Sequence, residues 1–585
     1  MPQAAWPPTR FCMKEYDCDP DNPDGNDRMS KYAPREWAPD EKPMMPGSPS
    51  TPAHPTPLRF AYLFVGILIT ITGGLGNALV TVNLVHLQGV LGAYSTETTW
   101  LPAAYVMANA SMNLLLVKFR QQFGLRLFTE IFLVLYALVT FAHLFVNDLA
   151  SAIAVRAAHG MLAAAISPLG LYYVLQGFKK EWRLRGVALA LGAAQLALPL
   201  AYIFSNDLLQ IAEWRGLYMF ELGLALVSLG AVLLLKLPPG DYIKAFRPTD
   251  FVTFALFAPG MALLCAAISF GRVQWWFEQP WIGLALAAAI VLLAAALCVE
   301  HNRVNPLLNL RWLASGNIVK LALSMLLVRI VLSEQSVGAV GFLRAVGLDN
   351  DQLQALFLVV LAATVAGIVV SALTVNVQHL VAPQVIALLL MALGAWIDAH
   401  ATNQTRLEQM YLSQSLLAFG GTLFLGPLVI SLLGAVIPNP QNLISFSVLF
   451  GLTQNLGSLL GSALVGTFQV WREKYHSSLI AEGLSSLDPL VASRIQSGAA
   501  AAARLVADPA ARTAQGLQSL AGSATREANI LAYNDVFLVL AVLAAASATW
   551  IFLHAVWLHY FPAPTPAPAP APRPGTPPPP EPVTD

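Results

Sequence analysis

Long apolar segments separated by short polar stretches make up most of the chain. Between Leu58 and Tyr560 these segments repeatedly reach about 20 residues, the length that one helix needs to cross a bilayer. The predicted segments are residues 60–84, 99–118, 126–146, 149–173, 184–204, 215–236, 250–270, 280–299, 317–340, 352–375, 381–399, 411–435, 443–469 and 535–559. The pattern therefore predicts an all-α integral membrane protein that crosses the bilayer about fourteen times.

Three polar stretches interrupt this pattern. Residues 1–57 and 561–585 are rich in proline and hold too few apolar residues to build a core, so we expect disordered tails. Residues 471–534 form a long loop before the last segment. Within it, Asp488-Pro489 can begin a helix, and the residues that follow are rich in alanine and leucine. Helices in this loop could bind a partner, or they could cover the membrane domain without one.

Basic residues concentrate in alternate loops. The loops on one side carry Lys118, Arg120, Arg126, Lys179, Lys180, Arg183, Arg185, Lys236, Lys244, Arg247, Arg303 and Arg311. The short loops on the other side carry only Arg215, Arg272, Arg344 and Arg406. Because short cytoplasmic loops are enriched in Lys and Arg, the first side is predicted to be cytoplasmic. Both termini would then be cytoplasmic, with the protein in the cytoplasmic (inner) membrane.

Composition narrows the functional classes. The chain is 56% hydrophobic and 11% charged, and its net charge is zero, so no nucleic-acid partner is expected. No metal site or cofactor is expected, because the cysteines lack metal-ligand spacing. They are Cys12, Cys18, Cys265 and Cys298. The sequence also lacks the phosphate-binding GxxxxGK[ST] motif, and nothing in it indicates an enzyme.

One charged residue lies deep within the fourth apolar segment. Arg156 and His159 are three residues apart, so they share one face of a helix. An arginine in hydrocarbon costs a few kcal/mol, and such residues normally face a bundle interior or a water-filled cavity. Arg156 is therefore predicted either to line a cavity or to hold two helices together through backbone carbonyls.

Other polar residues in the segments are candidates for a substrate or proton pathway. They are Glu221 in the sixth segment, Arg329 and Glu334 in the ninth, Asp535 at the start of the last, and the amides Asn77, Asn109 and Asn113. Arg329 and Glu334 are about 140° apart around a helix, so each is expected to pair with another helix. Either Glu221 or Glu334 could pair with Arg156. Asp535 could instead cap the last helix.

Several short stretches are similar, in order and spacing, to those of one transporter family. They are VLGAYSTETTWLPAAYVMANA (Val90–Ala110), VRAAHG (Val155–Gly160), EWRGLYMF (Glu213–Phe220), LTQNLGSLLGSALVG (Leu452–Gly466), WREKYHSSL (Trp471–Leu479) and ILAYNDVFLV (Ile530–Val539). With the fourteen segments, they resemble the EmrB/QacA-type drug:proton antiporters of the major facilitator superfamily. Arg156 and Gly160 match the family's Arg-x-x-Gln-Gly motif, and His159 replaces its glutamine.

Other family motifs are altered in this chain. Asn77 lies in LGNALVTVN, where the family usually carries an aspartate. In VKFRQQFGLR, two glutamines replace the usual Asp-Arg pair, while Gly124 and Arg126 are retained. Pro199 is a remnant of the glycine-rich antiporter motif of the fifth segment. The chain is thus similar to a divergent member of the family, one that lacks the usual acid of the first helix.

The resemblance implies a fold and a function. Residues 58–240 and 312–560 would form two six-helix bundles, with two linker helices in residues 241–311. The protein would export hydrophobic or amphipathic small molecules in exchange for protons by alternating access. In bacteria with two membranes, a membrane-fusion adaptor and an outer-membrane channel would assist it. Two alternatives remain: a facilitated or differently coupled transporter, and a transport-inactive membrane sensor or scaffold.

Overall fold

The computed structural model describes residues 37, 41–43, 47–276, 278–303, 306–485 and 487–561. Within these ranges the regular elements are helices, apart from one isolated β-bridge between Pro49 and Gly240. The predicted C-terminal tail and most of the predicted N-terminal tail lie outside the described residues.

Long helices run back and forth through the first part of the chain. The first eight are α1 (Thr56–Val82), α2 (Trp100–Phe123), α3 (Leu125–Ala142), α4 (Leu149–Gln176), α5 (183–211), α6 (214–234), α7 (Pro248–Gly271) and α8 (Pro280–His301). Two short helices, Leu84–Leu91 and Ser95–Thr98, connect α1 to α2. A 3-10 turn, Ala194–Leu196, interrupts α5.

The second part of the chain contains helices of very different length. They are α9 (Gly316–Ser333, extended through a π-helix, Glu334–Ala339, to Ala345), α10 (Asn350–Thr374), α11 (Val381–Asp398), α12 (Leu407–Val436), α13 (Leu443–Gly483) and α14 (Pro509–Tyr560). A separate helix, Pro489–Ala501, lies between α13 and α14.

The boundary between α5 and α6 is a sharp reversal within a continuous helical segment. Backbone angles leave the helical region at Ala212 and at Glu213, which has φ +52° and ψ −145°. A Cβ atom on Gly216 would overlap the carbonyl oxygen of Leu208. That contact is impossible in a straight helix, where residues eight apart are separated by about 12 Å. The described chain has 13 helical segments able to span a membrane, and one of them contains this reversal. The number of crossings is therefore fourteen, as predicted.

Residues 47–55 differ from the prediction of a disordered tail. Ser48 and Ser50 are buried, and the Ser50 backbone N–H donates to the carbonyl of Pro239 over 2.9 Å. The Gln176 amide donates to the Ser50 carbonyl, and its oxygen lies 3.1 Å from His54. This segment is ordered because its backbone groups are paired by the loops at the ends of α4 and α6, a long-range effect that local composition does not show.

The two halves of the molecule meet closely at both ends of their interface. We use "arm side" for the end at which α13 leaves the bundle and "basic side" for the opposite end, where the lysine- and arginine-rich loops lie. The arm-side seal joins α1, α5, α9 and α10, and its central contact is the parallel stack of Tyr202 on Phe357, with ring centroids 3.8 Å apart. The basic-side seal packs Val187 of α5 against Val429, Ile430 and Leu433 of α12.

Helices α13 and α14 are too long for a bilayer crossing alone. With 41 and 52 residues, they extend roughly 62 and 78 Å, against about 30 Å for a hydrocarbon core. Their excess lengths pack together with the helix Pro489–Ala501, and we name these parts the helical arm. Residues 471–534, predicted as a long outer loop that contains helices, hold the end of α13, the helix Pro489–Ala501 and the beginning of α14. Alanine and leucine sustain helix in water as well as in lipid, so hydropathy alone did not show where the helices end.

A buried ion network attaches α7 and α8 to α2 on the basic side. Lys118 Nζ lies 2.6 Å from Asp250, and Arg303 bridges Asp250 and Glu300 with two contacts of 2.5 Å. Thr253 and the backbone N–H groups of Leu307 and Leu308 also donate to Glu300. Burial alone would lower the pKa of Arg303, but its bonds to Asp250 and Glu300 raise it. The network therefore fixes the linker helices against the first half of the molecule.

Candidate functional site

Arg156 is fully buried among helices α1, α2 and α4. Its guanidinium donates to the Gly76 carbonyl and to Asn77 Oδ1, each over 2.8 Å. It also lies over the Tyr105 ring, 4.6 Å from the centroid, and 3.3 Å from His159 Nδ1. Asn77 stands where the resemblance leads us to expect an acid, so this amide supplies an acceptor without a negative charge.

His159 connects Arg156 to the acid of the same cluster. Its Nε2 atom lies 2.8 Å from Glu221 Oε1 on α6, although the ring N–H is not aimed squarely at that oxygen. The Tyr136 hydroxyl on α3 donates to the same carboxylate oxygen over 2.9 Å. His143 stacks on Tyr218 beside them. Cation, imidazole and carboxylate thus form one continuous chain, which we name the N-terminal cluster.

The packing of this cluster requires a glycine on α1. A Cβ atom on Gly76 would overlap Glu221 Oε1 and lie 2.6 Å from His159 and 2.7 Å from the Tyr136 hydroxyl. Real Cβ contacts essentially never fall below 3.0 Å. Gly76 therefore serves two purposes, since its carbonyl accepts from Arg156 and its missing side chain leaves room for Glu221.

A second buried polar cluster lies in the other half of the molecule. The Gln414 side-chain amide donates to both oxygens of Glu334 over 3.1 Å and to Asp398 Oδ2 over 2.8 Å. Ser413 donates to the other oxygen of Asp398 over 2.6 Å. The two carboxyl groups are also within hydrogen-bonding reach of each other. We name Glu334, Asp398, Ser413 and Gln414 the C-terminal cluster.

The C-terminal cluster contains two acids and no cation. Glu334 and Asp398 are both buried, with 0% and 3% of their surface exposed. Two carboxylates at this distance cannot both ionise without a large cost, so one proton is expected to remain between them. Glu334 also begins the π-helix of α9, an irregularity often found at functional sites.

Arg329 lies apart from both clusters, at a cavity between the two halves. Its guanidinium contacts Gln195 of α5 over 3.3 Å, and its Nε–H is sealed from solvent without a partner. Gln454 of α13 and Phe424 of α12 also line this cavity. The cavity holds only about 10 Å³ of water-accessible space, about what one water molecule needs. The arm-side seal and the basic-side seal pack the two halves together at the two ends of this interface.

The structure separates residues whose pairing the sequence left open. Arg156 bonds to Asn77 and reaches Glu221 only through His159, and it has no contact with Glu334. Asp535 does not cap the last helix. That helix begins at Pro509, and Asp535 lies in its middle, 2.6 Å from both Arg472 and His476.

The remaining predicted residues lie at helix contacts. Asn109 donates to the Gly160 carbonyl and accepts from Asn455, which joins α2 to α4 and α13. Asn113 donates to the carbonyl of Asn109. Gly124 links α2 to α3 with φ +82°. Arg126 donates to the Leu237 carbonyl over 2.6 Å. Pro199 is buried in the first turn after the 3-10 segment of α5. Among the described residues, no group of three or more His, Cys, Asp or Glu side chains could hold a metal.

Sequence reasoning missed Asp398, Gln414, Tyr136 and His143. Asp398 is the last residue of α11, where an acid at a segment end usually faces water. The other three are uncharged or weakly basic and stand out less than Arg156. A signal did exist for Gln414, because it is an amide within a long apolar segment.

Comparison with known proteins agrees with this architecture. No family model matches the chain. It is 32% identical over 140 residues to a lincomycin resistance protein of Streptomyces lincolnensis, and 23% identical over 258 residues to the probable multidrug resistance protein EmrY of Escherichia coli. These matches cover 23% and 43% of this chain but only 27% and 49% of those relatives.

A solved structure supports the fold. The proton:xylose symporter XylE, of the major facilitator superfamily, aligns with a TM-score of 0.50 at 15% sequence identity, covering 84% of this chain and 95% of that one. The all-helical fold, the predicted motif order and these similarities agree with one another, and the relatives are not enzymes. The fold of the chain is therefore similar to that of XylE, and parts of its sequence are similar to drug-resistance proteins.

Proposed function

We propose that the protein exports hydrophobic or amphipathic small molecules in exchange for protons by alternating access. The observation that carries this proposal is the small cavity between two helix bundles, each of which contains a buried cluster of titratable side chains. Such residues are costly inside a membrane and typically mark substrate and proton pathways. The similarity to resistance proteins favours export of drug-like molecules.

The two clusters offer two places for a transferable proton. In the N-terminal cluster, His159 and Glu221 can exchange a proton between imidazole and carboxylate. In the C-terminal cluster, Glu334 and Asp398 can share one. The family's usual acid in the first helix is absent, so these groups would replace it.

The C-terminal cluster lies next to the arm-side seal. The π-helix that begins at Glu334 leads directly to Ala339, Val340, Phe342 and Leu343, all of which belong to that seal. Opening the seal would bring water to the carboxyl pair, and a change in its charge would in turn favour one arrangement of α9. This connection offers a physical route between proton binding and gating.

Orientation and partners form part of the same proposal. With the basic side in the cytoplasm, both termini lie there and the helical arm projects to the outside of the inner membrane. The arm carries exposed leucines at Leu487, Leu490 and Leu505, each at least 78% accessible. We propose that it contacts a membrane-fusion adaptor that leads to an outer-membrane channel.

Transport in membrane vesicles turned inside out tests the main proposal. Vesicles containing the protein should accumulate at least one member of a panel of anionic, neutral and cationic amphipathic compounds when acidified inside, and an uncoupler should abolish the accumulation. Accumulation that the uncoupler leaves unchanged would favour facilitated or differently coupled transport. No movement of any compound in a broad panel, with the protein present and folded, would favour a sensor or scaffold.

A further inference from the structure

Arg329 is a partly buried cation whose bonding capacity is largely unused. A guanidinium has five N–H donors, yet its one side-chain contact in the structure is a long 3.3 Å bond to Gln195. The Nε–H has no acceptor. Among the described residues, no carboxylate lies close enough to pair with this guanidinium.

The surrounding helices are shaped to hold this arginine. A Cβ atom on Gly457 of α13 would lie 2.8 Å from the Arg329 Cβ, so the glycine lets α13 pack directly on the arginine stem. Met325, Val328 and Leu332 of α9 line the same cavity. Apolar side chains thus surround the stem of Arg329, and its guanidinium faces the space between the bundles. The polar side chains across this space are Gln195 and Gln454.

Arg156 shows how the same fold surrounds another cation with compensating groups. That guanidinium bonds to a carbonyl and an amide oxygen, lies on an aromatic ring and is connected to Glu221 through His159. Arg329 has none of these compensations. A partly buried charge without a charged partner inside a membrane protein costs free energy, and an anion bound beside it would offset that cost.

We propose that Arg329 binds the anionic group of the exported molecule, so that the substrates are amphipathic organic anions such as aromatic carboxylates. This inference rests on the proposed export function and names its substrate class. The guanidinium would bind the carboxylate through charge-assisted bonds, Gln195 and Gln454 would supply further donors, and Phe424 with Leu428 would contact the apolar part. The cavity would widen when either seal opens.

Binding to the purified protein in lipid nanodiscs tests the proposal directly. Three fluorescent probes share one aromatic body and differ in charge: pyrene butyrate, pyrene butanol and pyrene butylammonium. The wild-type protein should bind the carboxylate about 10- to 100-fold more tightly than the alcohol, and the ammonium more weakly still. Equal or tighter binding of the ammonium would overturn the proposal.

Matched variants locate the effect at Arg329. Arg329→Met should bind the carboxylate no better than the alcohol, whereas Arg329→Lys should retain part of the preference. Arg344→Met, which removes an arginine from the exposed end of the same helix segment, should leave the preference unchanged. An undiminished preference in a folded Arg329→Met variant would contradict the proposal. Because binding is measured without a proton gradient, a failure of proton-driven export would appear separately in the vesicle assay.

Discussion

The two bundles place polar residues at corresponding positions and use them differently. Each cluster draws on the first, third and fourth helix of its bundle, and the N-terminal cluster also draws on the sixth helix through Glu221. Arg156 and Gln414 are each the eighth residue of the fourth helix, α4 or α12. In the N-terminal cluster a cation, an imidazole and an acid are joined. In the C-terminal cluster two acids face one amide, and the cation of that bundle, Arg329, lies at the cavity instead.

This difference indicates a division of roles. The charges of the N-terminal cluster compensate each other, so keeping them buried costs little free energy. This cluster can therefore hold α1, α4 and α6 together during a conformational change. Two acids without a cation depend on a proton for their stability, so the C-terminal cluster should respond to pH and to the opening of the arm-side seal. The unpartnered arginine leaves a place for a negatively charged substrate.

The largest effect is expected from Arg156→Ala. The change leaves the Gly76 carbonyl and Asn77 Oδ1 without their shared donor and removes the cation beside His159. Removing one partner of a buried ion network costs about 3–5 kcal/mol. We expect transport to fall at least about 100-fold, with protein still present in the membrane. Transport rate and membrane abundance are the measurements.

Arg156→Lys distinguishes a requirement for charge from a requirement for geometry. A lysine cannot reproduce the separate bonds that the guanidinium makes to Gly76 and Asn77, so it should restore little activity. Normal export by Arg156→Ala would show that the N-terminal cluster has no role in transport.

Neutralising the carboxyl pair should alter coupling rather than folding. Glu334→Gln and Asp398→Asn keep the size of each side chain and remove the need for a shared proton. We expect export driven by a pH gradient to fall about tenfold or more, while exchange of substrate without a gradient continues. The pH dependence of transport should also flatten. An unchanged pH profile in both variants would place the coupling proton elsewhere, with Glu221 the first alternative.

A smaller effect is expected from Gly76→Ala. The new methyl group would overlap Glu221 and crowd His159 and Tyr136, and overpacking of this kind typically costs about 1–3 kcal/mol. Gly223→Ala is a matched control, because no atom lies within 4 Å of a Cβ atom at Gly223 on α6. Thermal unfolding in detergent should show a lower midpoint for Gly76→Ala alone. Equal midpoints for the two variants would mean that α1 can move away from the cluster.

Much of the architecture follows from the sequence because the bilayer imposes it. Span length and the absence of water predicted the fourteen helices, and the cost of a charge in hydrocarbon identified Arg156 and Glu334. Features that depend on tertiary contacts could not be predicted from the sequence. The order of residues 47–55 comes from distant backbone partners, and the helices of the arm continue beyond the membrane without any change in local helix propensity.

Prediction of the candidate site from the sequence was limited in the same way. Sequence reasoning identified Arg156, His159, Glu221, Arg329 and Glu334 as candidates, and all five are at least partly enclosed. It could not assign their partners, because pairing between helices depends on rotation and depth rather than on sequence separation. Asp398 was missed for this reason, since a residue at the end of a helix became buried only when α9 and α12 packed over it.

The most direct test of the account measures proton movement caused by substrate. Purified protein in liposomes with a trapped pH indicator receives a substrate gradient but no initial pH gradient. Proton-coupled exchange predicts that substrate entry drives protons out of the liposomes, that Arg156→Ala abolishes both movements, and that Glu334→Gln reduces the proton movement more than the substrate movement. Substrate entry through the wild-type protein without any proton movement would contradict proton-coupled export.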